Sequence, residues 1–119
     1  MKKIYVFGNP YLKEDNFAVR VAKNLKNFKV QYCDGPEALL FAEEDELIII
    51  DVVKDAKKPF IIDNVDSLKS RNIVSLHDFD LAYFLKLMNR LGDSKKFKII
   101  GLPEKGMAKT IAEEIKGMI

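Results

Sequence analysis

The most apolar stretch of this chain is the run Leu-Ile-Ile-Ile at residues 47–50, which ends at Asp51. A continuous run of this kind, rich in β-branched residues, is typical of a strand buried on both faces, as in the centre of a parallel sheet. A charge at its end is expensive to bury unless it is paired, hydrogen-bonded or bound to a metal. The run therefore predicts a covered, mostly parallel sheet. Asp51 is then either a functional carboxylate or an aspartate that caps the following loop.

Helical patterns alternate with short apolar runs along the rest of the chain. The i, i+3, i+4, i+7 spacing of apolar residues predicts a helix over residues 15–26, with Glu14 or Asp15 as its N-cap. This alternation predicts one α/β domain over residues 1–119, a three-layer αβα sandwich with a mostly parallel, roughly five-stranded twisted sheet. The predicted strands are 2–7, 29–33, 46–53, 59–63 and 97–101, and the other predicted helices are 36–42, 78–91 and 103–118.

Composition argues against several classes of partner. The 119 residues include 20 basic and 18 acidic side chains, for a formal net charge of +2, and no dense basic cluster of the kind that binds nucleic acid. No apolar stretch approaches the length that spans a bilayer, and the single cysteine, Cys33, cannot form an internal disulfide. We therefore expect a cytoplasmic protein, a monomer or weak dimer, without nucleic-acid or membrane partners.

Three polar residues lie where apolar stretches stop: Asp15, Asp51 and His77, the only histidine. Two carboxylates and an imidazole can together hold a divalent metal ion. In parallel sheets, ligands bind beyond the carboxyl ends of the strands, where the strand order reverses. Because Asp15 follows the first predicted strand and Asp51 ends the third, both are expected on the same rim. Each residue also has a plain alternative: a helix cap for Asp15, a loop cap for Asp51 and an idle loop histidine for His77.

The motifs around these residues resemble, in order, those of the hydrogenase maturation proteases. The opening is Gly-Asn-Pro-Tyr-Leu-Lys-Glu-Asp at residues 8–15, followed by the predicted helix. Asp34-Gly35 resembles the family's Asp-Gly turn after the second strand. Ile-Ile-Ile-Asp at 48–51 resembles its apolar strand ending in aspartate, and Ser75-Leu76-His77 resembles its Ser-x-His before a helix.

The resemblance implies a function. Enzymes of this family remove a C-terminal extension from the large subunit of nickel-iron hydrogenases after nickel has been inserted. The expected partner is therefore a hydrogenase large-subunit precursor, and the expected metal is nickel supplied by that substrate rather than permanently bound. The resemblance assigns nickel contact and catalysis to Asp15, Asp51 and His77, and substrate binding to Asn9, Asp34 and Gly35.

Departures from the family pattern leave alternatives open. Asn16 and Ala18 stand where the family usually has glycines, and Pro36 replaces a glycine after the Asp-Gly turn. One alternative is a non-proteolytic homologue that binds a hydrogenase subunit or a metal. Another is a receiver-type phosphoacceptor domain, with Asp51 ending strand three and Lys105 after the last strand. The catalytic route is also open, either through a metal acting on the scissile carbonyl or water, or through Asp15 and Asp51 as general base and acid.

Overall fold

One five-stranded sheet organises the part of the chain described by this computed structural model, namely residues 2–7, 16–33, 35–40, 42–53, 56–64, 90 and 96–119. Within the described residues, two α-helices and one 3₁₀ helix with defined bounds accompany the sheet. The strands are β1 (Lys3–Phe7), β2 (Lys29–Cys33), β3 (Glu46–Val52), β4 (Phe60–Ile62) and β5 (Lys96–Leu102). The helices are α1 (Phe17–Ala22), the 3₁₀ helix (Pro36–Leu39) and α2 (Ala108–Lys116).

The strand order is β2-β1-β3-β5-β4. β1 runs parallel to both β2 and β3, β3 runs parallel to β5, and β4 pairs antiparallel with β5 at the edge. After β1, the chain moves to one side of it for β2 and to the other side for β3. The point where the order reverses therefore lies between β1 and β3, which is where open α/β sheets bind their ligands.

Apolar side chains cover both faces of this sheet. On one face, residues of β1, β3 and β5 pack against α1 and α2, whose buried residues include Ala18, Val21, Ile111 and Ile115. On the other face, the 3₁₀ helix contributes Leu39 to a second cluster. The central run of β3 serves both layers because successive side chains alternate between the faces. Leu47 and Ile49 belong to the second cluster, whereas Ile48 and Ile50 belong to the first.

The predicted α/β class and mostly parallel five-stranded sheet are confirmed, as is the expected pairing of the first and third strands. The helices are shorter than predicted. α1 covers Phe17–Ala22 with Asn16 at its N-cap instead of Glu14 or Asp15. α2 begins at Ala108, and residues 103–107 after β5 are not helical. The helix predicted over 78–91 lies outside the described residues except for Arg90, which is helical. Within the described ranges, no helix has both the length and the apolarity to cross a membrane.

Candidate active site at the carboxyl rim of the sheet

Asp51 lies near the carboxyl end of β3 and is almost fully buried, with 1% of its surface exposed. It is the only buried polar or charged residue identified among the described residues. Its Oδ1 accepts a hydrogen bond of 2.8 Å from the backbone N–H of Val52. This bond holds one carboxylate oxygen against the strand end. Burial of a carboxylate is costly unless it is hydrogen-bonded, paired or bound to a metal, so Asp51 is a candidate for a chemical role at this rim.

Asp51 belongs to a row of residues that crosses three strands. It faces Gly101 on β5, and Gly101 faces Phe60 on β4. Alternation along β3 directs Asp51 to the same face as Ile49 and Val53, and Phe60 packs against that same cluster. A Cβ added to Gly101 would lie 2.6 Å from Cζ of Phe60 and 2.8 Å from Cγ2 of Val53. The Phe60 ring therefore leans over β5, towards the strand that carries Asp51.

Of the residues predicted to form the site, the structure describes Asp51 and Gly35. Gly35 follows the carboxyl end of β2 by two residues and adjoins the 3₁₀ helix. β1 lies between β2 and β3 and runs parallel to both, so Gly35 and Asp51 lie at the same rim of the sheet. An added Cβ at Gly35 would meet the carboxylate of Glu37. The other predicted site residues, Asn9, Asp15, Asp34 and His77, lie outside the described residues.

Asp51 is the only one of the three predicted metal ligands that lies among the described residues. Within those residues, no group of three or more histidine, cysteine, aspartate or glutamate side chains is placed to hold a metal ion. The predicted set needs Asp15 and His77, which are not among them. Its chemistry, two carboxylates and one imidazole, suits a divalent transition ion such as Ni²⁺.

A shallow groove of about 300 Å³ opens beside the carboxyl end of β5. It lies between the segment that enters β4 and the start of α2. Lysines dominate its charge, with one glutamate opposing them. The lining residues include Lys57, Lys58, Pro59, Pro103, Lys105, Met107 and Glu114. The described lining of this groove is therefore positively charged on balance.

A second polar cluster lies at the opposite, amino end of the sheet. The hydroxyl of Tyr5 donates a hydrogen bond of 2.6 Å to Oε2 of Glu44, and Nζ of Lys3 lies 3.6 Å from Oε1 of Glu44. Burial and the Glu44 carboxylate raise the pKa of Tyr5. Burial acts to raise the pKa of Glu44, but hydrogen bonds from Tyr5 and its own backbone N–H, together with the Lys3 ammonium, outweigh it and lower that pKa. These contacts tie β1 to the segment before β3.

The Phe60 and Gly101 pair is part of the rim that the sequence analysis missed. A signal was present, because Gly101 interrupts the apolar run of the last strand. Glycine inside a strand often marks a place where another group approaches the backbone closely. The sequence did not reveal which group approaches, since the partner strand is antiparallel and lies about 40 residues earlier in the chain.

Comparisons with known proteins agree with this architecture. Two solved structures from Escherichia coli are similar, each at 22% identity over 98% of this chain and 86% of the other. One is the hydrogenase maturating endopeptidase HybD, with a TM-score of 0.62, and the other is the solution structure of an endopeptidase, with a TM-score of 0.63. At this identity they establish a shared fold. No curated protein sequence matches.

A family profile provides the assignment beyond the fold. The profile HycI, described as hydrogenase maturation protease, matches residues 35–119, which is most of the chain and includes β3, β4 and β5. The receiver alternative does not fit, because receivers have the strand order 2-1-3-4-5, whereas this sheet places an antiparallel β4 at its edge. The chain belongs to the hydrogenase maturation protease family.

Proposed function

We propose that this protein is an endopeptidase that removes the C-terminal extension of a nickel-iron hydrogenase large-subunit precursor after nickel insertion. The observation that carries the proposal is the buried Asp51 carboxylate at the carboxyl end of β3, beside β1 at the point where the strand order reverses. It lies within the segment that matches the protease family. A site at this position is where an open α/β sheet supplies its chemistry.

Nickel enters this proposal as part of the substrate. The proposed recognition set is Asp15, Asp51 and His77, whose carboxylate and imidazole donors suit Ni²⁺. The position of β1 supports this set of residues. The segment that contains Asp15 follows β1, which ends at Phe7, and β1 pairs with β3, which carries Asp51. A precursor without nickel would lack the ion that these residues bind, so the extension would be removed only from subunits that already contain nickel. Asn9, Asp34 and Gly35 are proposed to contact the precursor polypeptide.

Asp51 has a proposed role in the hydrolysis itself. Its Oδ1 accepts a hydrogen bond from the Val52 N–H, which fixes the orientation of the carboxylate. A carboxylate fixed in this way can accept a proton from the attacking water or direct that water to the scissile carbonyl. The nickel ion would supply polarisation of the carbonyl or the water. Asp15 is the candidate for the complementary acid.

The direct test is incubation with a nickel-loaded hydrogenase large-subunit precursor, followed by mass spectrometry of the product. Wild-type protein is expected to release the extension, and the same precursor without nickel is expected to stay intact. The Asp51→Asn variant should lower the cleavage rate by about 100-fold or more, the usual contribution of a catalytic acid or base. The His77→Ala variant should also lower the rate, because it removes a proposed nickel contact. Asp63→Asn is the control, since Asp63 is an exposed aspartate beyond β4.

Two results would contradict the proposal. Cleavage by the Asp51→Asn variant at the wild-type rate would remove Asp51 from the mechanism. Intact precursor after incubation with wild-type protein would argue against proteolysis. In that case, co-purification of the precursor with the protein would favour the non-proteolytic homologue that binds a hydrogenase subunit.

A further inference from the structure

The edge strand β4 contributes an aromatic side chain to the face that carries Asp51. Phe60 is the first residue of β4, and the antiparallel pairing places it opposite Gly101, level with Asp51. The next residue, Ile61, faces the other way by strand alternation and is 36% exposed. Phe60 therefore lies on the same face of the sheet as Asp51, whereas Ile61 lies on the opposite face.

The absence of a side chain at Gly101 makes room for the ring. The atoms that a Cβ there would meet are Cζ and Cε1 of Phe60, at 2.6 and 2.7 Å, and Cγ2 of Val53, at 2.8 Å. Real Cβ atoms essentially never come so close to other groups. The far edge of the Phe60 ring thus occupies the space above β5, next to β3. Val53, two residues beyond Asp51, closes the same space from the rim.

The exposure of Phe60 differs from that of a ring buried in the core. Phe97 points to the same face of the sheet at the amino end of β5 and is 6% exposed. Phe60 is only partly buried although it packs against the same cluster. A partly open aromatic ring beside a buried carboxylate is the arrangement expected for the wall of a binding pocket, where apolar side chains set the shape and a few polar groups do the chemistry.

We propose that Phe60, seated over Gly101, forms the apolar wall of the Asp51 site and restricts the substrate residue next to the scissile bond to a small side chain. This inference rests on the proposed endopeptidase function and adds a determinant of specificity to it. The wall acts by excluding volume, since the ring fills the space above β5 that a larger substrate side chain would need. Phe60 has no part in proton transfer.

Cleavage of substrates that differ in size tests whether Phe60 forms a wall of the site or only packs in the core. Two nickel-loaded precursors are prepared that differ only in the residue following the scissile bond, alanine in one and leucine in the other. Wild-type protein should cleave the alanine precursor faster. Phe60→Ala should shift the ratio of kcat/KM values towards leucine by about tenfold or more, the scale on which hydrophobic pockets discriminate side-chain size. Phe60→Leu, which preserves more of the core, should shift it in the same direction by less.

Ile61→Ala is the matched control, because it shortens the neighbouring side chain of the same strand on the opposite face. It should leave the ratio within twofold of wild type. The inference is overturned if Phe60→Ala folds and cleaves but keeps the wild-type ratio, or if Ile61→Ala shifts the ratio equally. In both cases the proposed endopeptidase function would stand, since cleavage itself would have been observed.

Discussion

Adding a single methyl group at Gly101 should measurably destabilise the folded protein. Gly101→Ala would place a methyl group 2.6 Å from the Phe60 ring and 2.8 Å from Val53. Because both neighbours belong to a packed cluster, we expect a loss of about 1–3 kcal/mol in the free energy of unfolding, as for other overpacked cores. Urea denaturation followed by circular dichroism measures this loss.

The steric origin of that loss can be tested with a double variant. Shortening the ring with Phe60→Leu should relieve the clash, so Gly101→Ala together with Phe60→Leu should destabilise the protein by less than the sum of the two single changes. Additive losses would mean that Gly101 is constrained by its backbone rather than by the ring.

Glu44 should give the protein a specific dependence on pH. Its pKa is lowered in the folded state, with the Tyr5 hydroxyl and Lys3 outweighing the opposing effect of burial. A lowered pKa stabilises the folded state above the unfolded pKa, and this contribution is lost as the pH falls through the folded value. Between about pH 6 and about pH 3, wild-type protein should therefore lose more stability than Glu44→Gln.

Urea denaturation at several pH values provides the test of Glu44. Glu43→Gln is the matched control, since Glu43 is the exposed neighbour in sequence. The Glu43→Gln variant should retain the wild-type dependence. If Glu44→Gln loses as much stability on acidification as wild type does, the Tyr5–Glu44 hydrogen bond is not a source of the acid sensitivity.

At the scale of elements, β3 should be the least tolerant of truncation. Its apolar residues are buried on both faces between β1 and β5, and Ile49 is completely buried. Ile49→Ala should cost about 2–5 kcal/mol in the free energy of unfolding, the range for large-to-small changes in cores. Ile61→Ala on the edge strand β4, where the side chain is 36% exposed, should cost about 1 kcal/mol or less. Thermal denaturation of the two variants compares them directly, and similar losses would contradict the central position of β3.

The strands also show how much of the fold and of the candidate site could be predicted from the sequence. The strands were predictable because uninterrupted apolar runs mark strands covered on both faces, and the run before Asp51 placed that carboxylate at a strand end. The antiparallel direction of β4 was not predictable, since a three-residue strand has no pattern that encodes direction. The Phe60 wall was missed for the same reason, because it depends on which residue β4 places opposite Gly101. The structure gives positions for Gly35 and Asp51 among the predicted site residues, and the functional roles of all of them stay predictions.

At the scale of the whole molecule, the described sheet is shared by two apolar layers. Leu47 and Ile49 pack into one layer while Ile48 and Ile50 pack into the other, so neither layer can separate without disrupting β3. We therefore expect a single domain that unfolds in one cooperative transition, as small domains usually do. Far-UV circular dichroism and tyrosine fluorescence should give coincident urea denaturation curves. Two separated transitions would show that the layers unfold independently.

The position of β5 has a consequence for synthesis on the ribosome. β5 comes last among the described strands in chain order, yet it lies between β3 and β4 in the sheet. Until residues 96–102 have left the exit tunnel, β3 lacks its neighbour on that side and β4 lacks its sheet partner. A nascent chain arrested before this point presents the Leu-Ile-Ile-Ile edge of β3 to other polypeptides, and such unpaired strand edges attract aggregation and chaperones. The described sheet therefore cannot close before β5 has emerged.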